Sequence, residues 1–113
     1  MDFSTARTFI LSQTLDSETK TDTFYLRLQQ GQPPIPGQVT SLLLALKVLF
    51  EGLHRVDTLE RELAHALFIL SYESRVLYDT GLNSGVEWPP MLDEDLSRIA
   101  IAARNIFANQ RQR

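Results

Sequence analysis

The stretch Asp57-Thr-Leu-Glu60-Arg-Glu-Leu63-Ala-His-Ala-Leu-Phe-Ile-Leu70-Ser-Tyr-Glu-Ser-Arg-Val-Leu77-Tyr-Asp-Thr-Gly81 reads as one well-delimited helix with apolar residues on most of its circumference. Asp57 is placed to cap the N-terminus, and Glu60 stands three residues later, where it can close a capping box. Gly81 follows the last periodic residue, the place where a helix commonly ends in a left-handed conformation that glycine adopts cheaply. Between them Leu59, Leu63, Ala66, Leu70 and Leu77 share one face, with Leu67 beside it and Ile69 and Val76 on the other flank. An apolar arc this wide marks a helix packed among others rather than one lying on a surface. The spacing predicts a central helix over about 57–80.

The flanking segments read as further helices. From Phe3 to Gln30, helical spacing holds for Phe3, Ala6 and Ile10 and again for Phe24 and Leu28. The middle, from Thr14 to Thr23, is rich in Thr and Asp, which compete for backbone hydrogen bonds. The heptad-related positions Phe3, Ile10, Ser17 and Phe24 leave a single long helix open, but the composition favours two, the second capped by Asp16 or Ser17. Gly31-Gln-Pro-Pro-Ile-Pro-Gly37 then interrupts helix, since consecutive prolines remove donors and push preceding residues toward extended backbone. Pro36 or Gly37 opens a helix from Gln38 to about Leu53, with Val39, Leu42, Leu43, Leu46, Leu49, Phe50 and Leu53 on a wide apolar face. The short joint before Asp57 predicts an antiparallel hairpin between this helix and the central one. After a loop from Leu82 to Met91, Asp93 is placed to cap a last helix with Glu94 and Asp95 in its first turn. Leu96, Ile99, Ala100, Ala103 and Phe107 form its inner face, and Ala100, Ala102 and Ala103 permit close approach. Both proline loops run Pro-Pro-apolar into a helix, at Pro33-Pro34-Ile35 and Pro89-Pro90-Met91, which repeated use of proline as a stop and start explains better than duplication. No strand alternation is present, so the expected fold is all-α: one domain over residues 1–113, a compact bundle of four or five helices.

Composition narrows the function classes. A chain of 113 residues has length for one core without metal or disulfide staples. Its 43% apolar and 22% charged residues are those of a globular domain. A net charge of −3 argues against nucleic acid, which needs a concentrated basic surface; the one basic cluster, Arg111-Gln-Arg113, reads as a solvated tail. Cysteine is absent, which removes disulfides, thiol catalysis and thiolate metal sites and suits a reducing cytosol. The first residues lack the pattern of a signal peptide, and the longest apolar run, Leu42 to Leu46, is far below the ~20 residues of a membrane span. The expected location is cytoplasmic, with neither membrane nor nucleic acid as partner.

Two patterns carry possible metal chemistry. Glu51-Gly-Leu-His54 and Glu62-Leu-Ala-His65 are both E-x-x-H, they contain both histidines of the chain, and di-iron bundles use this spacing twice. Against it, the two motifs flank one short turn, Lys47 and Arg55 stand four residues either side of Glu51, and Arg61 neighbours Glu62. A solvated charge pattern is the simpler account of Glu51, His54, Glu62 and His65. No P-loop or G-x-G-x-x-G phosphate cradle is present. Ser71 and Ser74 lack a histidine base beyond His65, so packing or backbone contacts account for them better than nucleophilic catalysis. No catalytic residue and no cofactor is assigned.

Binding candidates are stronger. Arg61, Phe68, Tyr72, Arg75 and Asp79 fall together on the helix side opposite Leu59, Leu63 and Leu70, and aromatics with Arg are favoured at interfaces. The alternative is that the polar waist of the first zone covers Phe68 and Tyr72. Trp88, the sole tryptophan, either anchors a partner or folds back onto the helices. These residues point to a non-enzymatic interaction or adaptor module whose partner is another protein or a second copy, as in a homodimer.

The segments Gly31-Gln-Pro-Pro-Ile-Pro-Gly37 and Glu87-Trp-Pro-Pro-Met-Leu-Asp-Glu-Asp-Leu-Ser-Arg98 together resemble a family of small cyanobacterial all-helical proteins of uncharacterised function, some of which carry the label dethiobiotin synthetase. The resemblance covers most of the chain, implies a cyanobacterial cytoplasm and assigns no role to any residue. A biotin-pathway enzyme is disfavoured, because genuine dethiobiotin synthetases resemble P-loop proteins with a parallel sheet, and this chain has neither feature.

Overall fold

In the computed structural model, which describes residues 1–15 and 22–110, the longest apolar face folds as its spacing predicts. Helix α3 spans Gln38–Leu53 and buries Leu42, Ala45, Leu46, Leu49 and Phe50. Gly37 opens it at φ 85°, a left-handed torsion that a residue without a β-carbon tolerates. Ahead of it are α1, Phe3–Thr14, and α2, Phe24–Gln29, so the first zone holds two helices. The expected caps Asp16 and Ser17 lie outside the described residues, as does the Arg111–Arg113 tail; α2 is capped by Thr23, whose side chain accepts a bond from the Leu26 N–H.

The central helix is a continuous rod in three parts: α4, Arg61–Phe68; a π-helical turn, Ile69–Glu73; and α5, Ser74–Asn83. Its ends correct the sequence-based limits. Asp57 does not cap it, and no capping box forms, because Glu60 is drawn to Arg7 of α1 through two 2.8 Å hydrogen bonds. At the other end Gly81 lies inside the helix. The left-handed residue is Gly85, at φ 92°, in a Schellman turn where the Gly85 N–H donates to Leu82 O and the Val86 N–H to Gly81 O. The same turn ends α2 at Gly31, and Val86 Cγ2 lies where a β-carbon on Gly31 would be crowded at 3.3 Å. Helix α6, Leu92–Ala108, follows. Asp93 is within its first turn rather than its cap, and Ile106 rather than Phe107 faces inward, leaving Phe107 half exposed. With the rod counted as one, the described residues form five helices and no strand.

Contacts between ends define the topology. Phe3 of α1 meets Gly52 of α3, while Gln13 binds Gln38, so these helices are antiparallel. The rod packs along α1, and α6 returns antiparallel to the rod, with Arg75 reaching Asp93 and Ser97. Helices α3 and α6 therefore run parallel and in register: Val39 and Leu43 share a groove with Leu92 and Asp95, and Leu53 shares one with Ile106. The ring order is α1, α3, α6, rod. The predicted α3–rod hairpin is not formed; each packs on α1 and α6, and the joint from 54 to 60 crosses one end of the bundle diagonally. Ile10, Leu42, Leu46, Leu49, Leu63, Leu67, Leu70, Leu96 and Ile99 fill the centre.

A candidate interaction face on the π turn

The rod buries Leu63, Ala66, Leu67, Ile69 and Leu70, and its character changes at that point. Ser74 is wholly buried, and both its backbone N–H and its hydroxyl donate to the Ile69 carbonyl, the hydroxyl at 2.9 Å. A carbonyl left without its usual partner one turn on is thereby satisfied inside the protein. The wider turn also changes what faces outward. In an unbroken α-helix Val76 would be rotated about 80° from Phe68. Here Phe68, Tyr72 and Val76 are exposed together at 47%, 57% and 41%. The Phe68 and Tyr72 rings lie 5.2 Å apart, tilted by 30°. Arg61 and His65 extend this side toward the start of the rod, both exposed, while the exposed Asp79, beyond the π turn, is rotated away from it. Among the described residues, neither Arg61 nor Asp79 makes an ion pair.

The edges of the face are fixed by polar contacts to neighbouring elements. On one side Glu73 accepts a 2.8 Å bond from the Tyr25 hydroxyl of α2; burial, then this carboxylate, pushes the phenol up to about 12. On the other, Arg75 donates to Asp93 Oδ1 at 2.6 Å, to the Asp93 carbonyl and to Ser97. Nearer the start, the hydrogen bonds from Arg7 hold the Glu60 carboxyl below its ordinary range.

The candidate surface from the sequence is thus divided. Phe68 and Tyr72 are together and exposed, with Arg61 on the same side. Arg75 turns away to α6, its guanidinium 5.2 Å from the Tyr78 ring centre. Trp88 folds back: its Nε1–H donates to Tyr78 O at 3.0 Å, and its ring stacks on Tyr78 at 5.9 Å. Arg75, Tyr78 and Trp88 form a tie between α5, the loop and α6. Val76, expected on a flank of the buried arc, joins the outer face because of the π turn, for which the apolar periodicity contains no signal.

The E-x-x-H residues do not converge. Glu51 and His54 are at the end of α3, where His54 lies 5.5 Å from the Phe50 ring. Glu62 and His65 are on α4, with Glu62 bound to Arg7 at 3.3 Å. Because α3 and the rod are diagonal neighbours, no group of three or more His, Asp or Glu among the described residues is placed to hold a metal ion. Glu51, His54, Glu62 and His65, the alternative metal set, are thus not gathered into one group among the described residues.

A second concave region, about 300 Å³, lies where the two proline loops meet, between Pro34, Ile35 and Val39 on one side and Pro89, Met91 and Arg98 on the other. No helix among the described residues is long and apolar enough to cross a membrane. The chain matches no family model, no curated protein and no solved structure.

Proposed function

We propose that this protein is a non-enzymatic interaction module that engages another protein through the outer face of its π-turn helix. The observation that carries this is the Phe68–Tyr72 pair, two half-exposed rings in mutual contact on a side of the rod opposite the core. Aromatic rings supply large contact area at little conformational cost, and clustered apolar exposure of this kind is characteristic of binding surfaces. A cyanobacterial, cytoplasmic setting is part of the same proposal and rests on the proline-loop resemblance and the lack of cysteine.

The test is the double substitution Phe68→Ser with Tyr72→Ser. The variant should keep the helical content and melting temperature of the wild type while losing proteins that co-purify with the wild type from its native cells, or losing self-association. A folded variant that retains the same bound proteins and the same mass in solution would overturn the proposal.

A further inference from the structure

On the outer face of the rod the aromatic pair stands among cations. Arg61, His65, Phe68, Tyr72 and Val76 are all exposed and form one stripe about 22 Å long at the rise of a helix. The carboxylates around this stripe are engaged or turned aside. Glu60 and Glu62 accept from Arg7, Glu73 accepts from Tyr25, and Asp93 accepts from Arg75. The π turn rotates Asp79 off the stripe, and Asp57 lines the groove beside Ile106 and Asn109. Among the described residues, Arg61 and His65 make no ion pair. Arg104 is a third such cation, exposed on α6 two turns beyond the Ser97 that Arg75 of the rod contacts. On a chain of net charge −3, two exposed rings are thus set in a local surplus of positive charge. We infer that this face receives an acidic amphipathic helix of another protein, whose apolar side chains cover Phe68 and Tyr72 and whose carboxylates meet Arg61, His65 and Arg104. The inference rests on the interaction-module reading of the same surface and names the chemistry of its partner.

The position of Arg61 supports a role outside the fold. It is the first residue of α4, where the helix dipole favours a carboxylate and opposes a cation. It also gains no ion pair there, whereas Arg7, Arg27, Arg75 and Arg98 each bind a carboxylate of their own chain. A stripe of about four turns with rings at its middle matches the apolar face that a docked helix presents. A second copy laid on the same face would bring a stripe with two cations and no carboxylate, which like-charge repulsion disfavours.

Two synthetic helical peptides with the same leucine stripe, one flanked by glutamates and one by lysines, test the inference by fluorescence anisotropy. Because the chain is net acidic, unspecific attraction favours the lysine peptide. Docking at this face should reverse that order, with the glutamate peptide bound about tenfold or more tightly than the lysine peptide. Arg61→Glu combined with Arg104→Glu should abolish the preference, and Phe68→Ser should weaken the glutamate peptide by about tenfold or more. Arg61→Glu alone suits the helix end, so its melting temperature should hold or rise while binding falls, a pairing that misfolding cannot produce. Equal affinity for the two peptides, preference for the lysine peptide, or no saturable binding of the glutamate peptide up to about 1 mM overturns the acidic partner. A dimer in light scattering that Phe68→Ser dissolves, without glutamate-peptide binding, overturns it in favour of a second copy. If the glutamate peptide fails while the Phe68→Ser and Tyr72→Ser variant still loses its native bound proteins, the partner's chemistry falls and the module reading stands.

Discussion

A β-carbon on Gly81 would stand 2.6 Å from Cζ2 of Trp88, inside the van der Waals envelope of the indole. The glycine is required by a side chain from the following loop and not by its own torsion, since it lies within α5. Gly81→Ala gains about 1 kcal/mol of helix propensity. Against that, displacing Trp88 costs about 1–3 kcal/mol in overpacking, with a further ~1 kcal/mol from its bond to Tyr78 O. The expected net change is a loss of about 1–3 kcal/mol in urea unfolding. Because Trp88 is the sole tryptophan, its emission should shift to the red as the ring is freed. A higher melting point with unchanged emission is incompatible with this packing.

Leu70 and Phe68 make a matched contrast on one helix, with 1% and 47% exposure. Leu70→Ala should cost about 2–5 kcal/mol by denaturant unfolding of the monomer. Phe68→Ser should change monomer stability by no more than about 0.5 kcal/mol. A large loss from Phe68→Ser would mean that another part of the same chain covers the ring.

Tyr25 gives the fold an alkaline dependence. Its phenol titrates at about 12 in the folded protein against an ordinary value of 10.0. Between these values the unfolded chain releases the proton while the folded chain retains it, so stability is full below pH 10 and falls as pH rises toward 12. Tyr25→Phe should cost about 1 kcal/mol at neutral pH, through the lost bond to Glu73, and should flatten this part of the alkaline loss. Denaturant titrations of both proteins across that window measure it; parallel curves would exclude a Tyr25 contribution.

Nucleotide and metal tests address the remaining functional classes. With no glycine-rich phosphate loop in the sequence and no strand among the described residues, calorimetry should detect no saturable, magnesium-dependent ATP binding. Elemental analysis should find no stoichiometric iron, manganese or zinc, and His65→Ala should leave the melting temperature unchanged. Retained metal released by that substitution would restore the carboxylate–histidine reading.

The helices were legible where local chemistry decides them. The limits of α3 follow from Gly37 and the end of its apolar face. Local signals misled where a distant residue intervenes. Glu60 has the spacing of a capping box, yet Arg7 of α1 binds it instead. Gly81 has the position of a helix terminator, yet Gly85 supplies the left-handed torsion and Trp88 accounts for Gly81. The candidate face was half legible. Phe68 and Tyr72 follow from helical spacing, but the outward turn of Val76 depends on a π insertion that periodicity assumes away, and Arg75 is diverted by Asp93.

The diagonal joint between α3 and the rod governs how the chain can mature during synthesis. Helix α3 packs on α1 and α6, so when the first half of the chain leaves the ribosome one flank of its apolar face has no neighbour. The rod, made next, leaves that flank uncovered, because it lies across the diagonal. Only when Leu96, Ile99 and Ala103 have emerged does the nascent core close. The chain should therefore remain a client of holding chaperones until α6 is translated, and a message truncated before α6 should yield an aggregation-prone product rather than a smaller folded domain.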